Sequence, residues 1–284
     1  MNTASFAMQH WLRQIESQRD LREIPFLQKQ SDQGNMHREY HKHHSAHLNR
    51  DMELLSFGHA GARVIVFPTS CGRFFDWENR GMIDALSHHI EQGWIQLFCI
   101  DSVDQESWWN FDAHPKDKAL RHLAYHKYVI EEALPFTKTQ NNNDYVIALG
   151  ASMGAYHAIN IAMRFPEHFN RTIGMSGPYD MAQMSEPYNV FSWIFDYYDD
   201  NINQCNPVPF VKSAADKYID KIKKMDIIFA IGETDPLLRG NQLFTDALNE
   251  RGVPHAFHIW DGFAHDWPIW HEMVLHYIGG DGTR

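Results

Sequence analysis

The feature that most constrains the fold is the regular alternation of short apolar segments with segments of helical periodicity. The strand-like segments include RVIVFP (63–68), WIQLFCID (94–101), YVIALG (145–150) and DIIFAIG (226–232). The helix-like segments between them include GMIDALSHHIEQG (81–93), GAYHAINIAMRF (154–165) and NQLFTDALNERG (241–252). Such alternation is typical of βαβ crossovers, which build a mainly parallel sheet. We therefore predict an α/β fold with about eight strands and helices on both faces, a three-layer α/β/α sandwich.

The alternation predicts a single domain over residues 36–284. Residues 1–35 are polar with scattered large apolar side chains, and we treat them as an N-terminal extension. Residues from about 180 to 225 break the rhythm, so we predict a cap-like insertion beside the carboxyl ends of the strands, where open α/β sheets bind ligands. Its aromatic residues are Tyr188, Phe191, Trp193, Phe195, Tyr197 and Tyr198.

Charge and cysteine content exclude several classes of protein. The chain has 25 Lys and Arg against 36 Asp and Glu, a formal net charge of -11. This argues against nucleic acid or an anionic membrane as a partner, because a basic surface supplies most of that affinity. Three cysteines without CxxC spacing favour neither disulfides nor a zinc site. No apolar run has the length of a signal-peptide core or a membrane span, so we expect a cytoplasmic protein. A homo-oligomer stays open.

The segment GASMG (150–154) fits the motif G-x-S-x-G. A motif this short occurs by chance, so the surrounding sequence decides whether Ser152 is a nucleophile. An apolar run of strand length precedes Ser152, and apolar residues at helical spacing follow it up to Pro166. Strand, sharp turn and helix are what a nucleophile elbow requires. The other reading is a helix N-cap, for which serine is also favoured.

A serine nucleophile needs an imidazole to accept its proton and a carboxylate to orient that imidazole. In an elbow fold these partners follow the serine in the order acid, then histidine, each after a late strand. His265 leaves the last strand-like segment in a glycine-containing turn. Asp235 leaves the preceding strand, with Glu233 as the reserve, whereas Asp261 and Asp266 are interpreted as solvated or helix-capping.

An oxyanion hole needs the N–H that follows the nucleophile, here Met153, and a second N–H from an earlier loop. The loop after RVIVFP offers the backbone N–H of Ser70 or Cys71. No feature of the sequence indicates a thiolate at Cys71. Cys71 and three tryptophans in loops near the predicted cleft are candidates for the substrate pocket, although tryptophans more often pack in cores. These are Trp108, Trp109 and Trp267.

Taken in order, these motifs resemble the esterase branch of the α/β-hydrolases, the group related to esterase D, S-formylglutathione hydrolase, feruloyl esterases and mycolyltransferases. The likeness is carried by LNRDMELLSFG, VFPTSCGRFFDWENRGM, DSVDQESWW, GASMGAYHA, GETD and HDWPIW, and spans roughly residues 45–277. It implies a triad of Ser152, Asp235 and His265, with Ser70 and Met153 as backbone donors. Where many members have His-Gly in the oxyanion loop, this chain has Pro68-Thr69.

The sequence therefore predicts a carboxylesterase that acts on a small-molecule ester through an acyl-enzyme, with no cofactor. Three alternatives stay open: an acyltransferase, a thioesterase, and a hydrolase-like scaffold that binds without turnover. The run HREYHKHHSAHLNR, with five histidines from His37 to His47, also invites a metal interpretation. Because no carboxylate or cysteine completes a ligand set nearby in sequence, we predict exposed histidines on an edge strand and no metal.

Overall fold

The computed structural model describes residues 36–182 and 196–279. One eight-stranded sheet forms in the order β1-β2-β4-β3-β5-β6-β7-β8. Only β2 runs against the other strands, since it pairs antiparallel with both β1 and β4. The predicted mainly parallel sheet of about eight strands is confirmed. The strands are β1 (Arg38–Ser45), β2 (Arg50–Phe57), β3 (Ala62–Phe67), β4 (Ile95–Ile100), β5 (Val146–Ala151), β6 (Arg171–Met175), β7 (Asp226–Gly232) and β8 (Ala256–Trp260).

Helices connect the strands in the described part of the chain. They are α1 (Asp76–Asn79), α2 (Met82–Ala85), α3 (Ser87–Glu91), α4 (Pro115–Tyr128), α5 (Leu134–Gln140), α6 (Met153–Arg164), α7 (Asp200–Gln204), α8 (Pro207–Ser213), α9 (Asp216–Ile222), α10 (Leu238–Glu250) and α11 (Trp267–Tyr277). A π-helical turn, Val129–Ala133, joins α4 to α5. The helix-like segment 81–93 forms two short helices. It divides into α2 and α3 at Leu86, whose ψ of 2° is outside the helical range.

Alternation along the central strands fills two apolar layers, one on each face of the sheet. In β3, Ile65 and Phe67 pack into the cluster beneath α4, α6, α8 and α10. Their neighbours Val64 and Val66 pack into the opposite cluster, beneath α1, α2 and α11. Both faces of a parallel sheet are covered in this way because each βαβ crossover lays a helix on one of them. The predicted three-layer sandwich is confirmed.

Within the predicted insertion, the described residues 196–225 pack against the helices that cover the sheet. Val208 and Val211 of α8, with Ile219 and Ile222 of α9, belong to the same cluster as Phe244 of α10. The N-terminal extension lies outside the described residues. So do four of the aromatic residues of the insertion: Tyr188, Phe191, Trp193 and Phe195. In the part of the chain that is described, no helix combines the length and apolar character needed to cross a membrane.

A group of buried imidazoles lies between α4 and α6. The ring centroids of His122 and His126 are 4.4 Å apart, and His157 of α6 lies 5.3 Å from His122. His122 Nε2 lies 3.2 Å from Asn160 Oδ1. Burial holds the pKa values of His122 and His126 well below the usual histidine value, with the neighbouring imidazoles acting in the same direction. Both rings are therefore neutral in the folded protein near pH 7.

The neutral imidazoles predict a loss of stability in mild acid. Unfolding lets His122 and His126 take up protons, so the free energy of unfolding should fall as the pH drops below about 6.5, by roughly 1.4 kcal/mol per pH unit for each ring. His126→Phe removes one of these rings and should make the slope shallower, as measured by urea unfolding between pH 7 and 5. The control His168→Phe removes an exposed imidazole and should keep the wild-type slope. Identical slopes for all three proteins would contradict the prediction.

Candidate active site

Ser152 occupies a strained turn between β5 and α6. Its φ of 53° and ψ of -123° are unusual for a residue with a side chain. Two glycines permit the turn. A Cβ on Gly150 would lie 2.1 Å from the Gly154 carbonyl oxygen, and a Cβ on Gly154 would lie 2.3 Å from the Phe67 carbonyl oxygen. The amino terminus of α6 therefore approaches the end of β3 closely, and its positive dipole end is directed at Ser152.

Ser152, His265 and Asp235 form one chain of contacts. Ser152 Oγ lies 3.1 Å from His265 Nε2, and His265 Nδ1 lies 2.7 Å from Asp235 Oδ2. All three residues are buried, with exposures of 6 %, 5 % and 3 %. The second oxygen of Asp235 accepts a hydrogen bond from the backbone N–H of Leu237, at 2.9 Å. Both carboxylate oxygens are thus engaged, so the carboxylate and the imidazole ring are fixed relative to the serine.

The other carboxylates weighed for the acid position bind backbone N–H groups or are exposed. Glu233 Oε1 accepts the backbone N–H of Gly262 at 3.1 Å, which closes the loop after β7 onto the loop after β8. Asp266 Oδ1 accepts the N–H of Trp267 and caps α11. Asp261 is exposed. The geometry therefore favours Asp235 over Glu233.

The loop that carries His265 is held by a hydroxyl that the sequence analysis did not single out. Ser176 follows β6 with a φ of 56°, and Ala264 directly precedes His265 with a φ of 45°. Ser176 Oγ donates to the Ala264 carbonyl oxygen at 3.1 Å and accepts from Trp270 Nε1 at 3.0 Å. The Trp270 ring lies 5.2 Å from the imidazole of His265. One buried serine thus ties the histidine loop to both the sheet and α11.

The oxyanion loop, residues 68–72, has two of its backbone N–H groups bound by carboxylates. Asp76 Oδ2 accepts from the N–H of Thr69, and Asp104 Oδ2 accepts from the N–H of Cys71, both at 3.0 Å. The N–H of Ser70, between them, has no hydrogen-bond partner within the described residues, and neither has that of Met153. Of the two donors that the sequence left open, the geometry favours Ser70, because the N–H of Cys71 is already engaged.

Asp104 also contacts a buried histidine that sequence reasoning missed. Its Oδ1 lies 2.8 Å from His157 Nε2, and both side chains are 1 % exposed. His157 lies one and a half turns along α6 from Ser152. A signal was present, because Asp104 is in a loop at the carboxyl end of β4, and parallel strands gather such loops at one edge. Its partners Cys71 and His157 lie 33 and 53 positions away in the sequence, so no local pattern indicates which residues it contacts.

A cavity of about 200 Å3 adjoins the oxyanion loop. Of the four predicted pocket residues, Cys71 alone is among the described residues that line this cavity. Trp108 is fully buried in a cluster with Met153, and Trp109 packs against that cluster. Trp267 is 7 % exposed and packs against Trp270. Other described lining residues carry both signs of charge: Arg50, Arg73, Asp76, Asp104 and Glu106.

The histidine run lies on and beside the edge strand β1, as predicted, but it is not uniformly exposed. His41 and His43 are half-buried against Phe136. His44 and His47 contact carboxylates brought near by the fold, Asp51 at 3.2 Å and Glu131 at 2.8 Å. Over 36–182 and 196–279, no three histidine, cysteine or carboxylate residues are grouped to hold a metal ion. Cys71, Cys99 and Cys205 form no disulfide.

The fold is that of the α/β-hydrolases, and solved structures match it over most of their length. A ferulic acid esterase is 18% identical, with 85% of this chain and 96% of that chain covered and a TM-score of 0.66. An S-formylglutathione hydrolase from Staphylococcus aureus is 15% identical, with 86% and 97% covered and a TM-score of 0.61. The corresponding enzyme from Agrobacterium tumefaciens is 14% identical, with 84% and 91% covered and a TM-score of 0.64.

Family membership follows from the sequence itself. The model of the family described as "Putative esterase" matches residues 83–276, which is more than half of the chain. No curated protein matches the chain. The chain therefore belongs to this esterase family, as its motifs implied, and it is a hydrolase that cleaves ester bonds.

The bridge at Ser176 predicts a joint loss of stability and activity. Ser176→Ala leaves the Ala264 carbonyl and the Trp270 indole N–H without their partner, so the free energy of unfolding should fall by about 1–3 kcal/mol. Hydrolysis of p-nitrophenyl acetate should also fall, because the loop that carries His265 is released. Urea unfolding and steady-state kinetics on the same preparation measure both effects.

A matched control separates the two effects. Thr137 Oγ1 likewise donates to a carbonyl, that of Leu134, and accepts from Arg63, but it lies near the amino end of β3. Thr137→Val should cost a similar free energy of unfolding and leave hydrolysis unchanged. If Ser176→Ala hydrolyses the ester as fast as the control, the bridge has no influence on His265.

Proposed function

We propose that this protein is a serine carboxylesterase in which Ser152, His265 and Asp235 act as the catalytic triad. The observation that carries the proposal is the continuous line of contacts from Ser152 Oγ through both nitrogens of His265 to Asp235 Oδ2. A helix-capping serine needs no such line. In addition, Ser152 makes no capping hydrogen bond from its side chain to α6.

Acylation begins when Ser152 Oγ attacks the ester carbonyl carbon and its proton passes to His265 Nε2. Asp235 accepts the Nδ1 proton in a hydrogen bond, which holds the tautomer with a lone pair on Nε2 and then stabilises the imidazolium. The carbonyl oxygen becomes an oxyanion and accepts from the N–H groups of Ser70 and Met153. The tetrahedral intermediate collapses, the leaving alcohol takes the proton from Nε2, and the acyl group stays on Ser152.

Deacylation repeats these steps with water. His265 Nε2 removes a proton from a water molecule, which attacks the acyl carbon, and the same two N–H groups hold the second oxyanion. Collapse breaks the bond to Ser152 Oγ, and Oγ regains a proton from Nε2. The products are a carboxylic acid and an alcohol, and the protein supplies every proton transfer without a cofactor.

The substrate that we propose is a small-molecule ester. A ferulic acid ester and S-formylglutathione belong in the first panel, because structural neighbours carry those names. p-Nitrophenyl acetate, butyrate and octanoate would report the accepted acyl length. An acceptor alcohol in the same assay distinguishes hydrolysis from acyl transfer.

Substitution of the nucleophile is the direct test. A fluorophosphonate should label the wild-type protein on the peptide that contains Ser152. Ser152→Ala should lose the label, and its kcat should fall by about 10⁴-fold or more, since the loss of a triad nucleophile costs this order of rate. Peptide mass spectrometry and p-nitrophenyl acetate hydrolysis provide the two measurements.

Ser213→Ala is the matched control, because Ser213 is an exposed serine at the end of α8. It should keep both the label and the rate. If folded wild-type protein takes no label and turns over no ester in the panel, the proposal fails, and a binding scaffold becomes the better account.

A further inference from the structure

We propose that Asp104 and His157 are positioning residues that set the oxyanion loop in register with the helix that carries the nucleophile. This inference rests on the proposed function, since it concerns how the two oxyanion donors are held. Those donors belong to different segments of the chain: Ser70 is in the loop after β3, and Met153 begins α6. Some contact must fix the distance between them.

Asp104 provides that contact with both oxygens of one buried carboxylate. Oδ2 accepts a hydrogen bond from the N–H of Cys71, the residue directly after Ser70. Oδ1 lies within hydrogen-bond distance of Nε2 of His157 in α6. A single side chain thus joins the loop to the helix. The imidazole of His157 also stacks at 6.1 Å on Phe67, the last residue of β3 before the loop.

The conformation of the loop needs such an anchor. Cys71 has a φ of 55°, a left-handed conformation that costs energy for a residue with a side chain. Asp104 compensates by accepting the N–H of that residue. On the other side of Ser70, Asp76 accepts the N–H and the hydroxyl of Thr69, at 3.0 and 2.9 Å. The flanking N–H groups are turned toward carboxylates, which leaves that of Ser70 for an oxyanion.

His157 matches this role by its protonation geometry. Its Nδ1 is buried and has no hydrogen-bond partner among the described residues. A proton on Nδ1 would be unsatisfied, so the geometry favours a proton on Nε2, which is donated to Asp104. That bond stabilises a carboxylate that would otherwise be costly to bury. We therefore expect the pair to act on transition-state binding while substrate binding stays nearly unchanged.

The test measures kcat per reactive serine, so that misfolded protein does not count. Each variant is labelled to completion with fluorophosphonate to count Ser152, and p-nitrophenyl acetate hydrolysis is then normalised to that count. Asp104→Ala should lower kcat by about tenfold or more, with KM within about twofold of the wild-type value, because a displaced oxyanion donor weakens the transition state. Asp104→Asn keeps an acceptor for the N–H of Cys71, so its kcat should lie between that of the wild-type protein and that of Asp104→Ala.

Tyr156→Phe is the matched control. Tyr156 precedes His157 on α6, is fully buried and donates to the Cys205 carbonyl, so its loss should lower stability and leave kcat per serine within about twofold. An unchanged kcat in Asp104→Ala, or an equal fall in Tyr156→Phe, would overturn the inference. If Asp104→Ala does not fold, Asp104→Asn and His157→Phe decide, and wild-type kcat in both would overturn it. Failure of the proposed function is distinct, because the wild-type protein itself would then take no label.

Discussion

The close approach of α6 to the end of β3 is the constraint on which the rest of the site depends. A Cβ on Gly154 would lie 2.3 Å from the Phe67 carbonyl oxygen, so a side chain there would separate α6 from β3. A Cβ on Gly150 would lie 2.1 Å from the Gly154 carbonyl oxygen, so a side chain there would separate α6 from β5. Only with these contacts closed do the turn at Ser152, the amino terminus of α6 and the loop that begins at Pro68 share one small space. Backbone packing therefore brings the nucleophile and the oxyanion loop together, and side-chain contacts such as those of Asp104 then fix the orientation of the loop.

The parallel sheet then delivers the remaining groups to that space. β5, β6, β7 and β8 are neighbours in this order, and their paired ends include Ala151 with Met175 and Gly232 with Trp260. Groups that follow successive strands thus reach the same edge, about 4.8 Å apart per strand. This is why the chain order of serine, acid and histidine can become a line of hydrogen bonds.

These features could be predicted because they follow from local patterns. The apolar run before Ser152, the helical spacing after it, and strand ends at Asp235 and His265 are all visible over a few residues. The contact between Asp104 and His157 could not be predicted, because it depends on how two separate segments pack. For the same reason Trp108, expected near the pocket, is instead fully buried beside Met153. The break at Leu86 was also missed, since helical spacing alone does not reveal a single residue with non-helical ψ.

Two buried aspartate–histidine pairs of similar geometry thus occur in the described part of the chain, one in contact with the nucleophile and the other in contact with the oxyanion loop. Asp235 and Asp104 each give one oxygen to an imidazole and the other to a backbone N–H. What separates them is the far nitrogen of the ring. That of His265 faces Ser152 Oγ at 3.1 Å, whereas that of His157 meets no polar partner among the described residues. An imidazole paired with an aspartate can act as a base only if its second nitrogen faces a proton donor. His265 meets this condition and is suited to proton transfer. His157 does not, so its pairing serves only to hold the carboxylate in place.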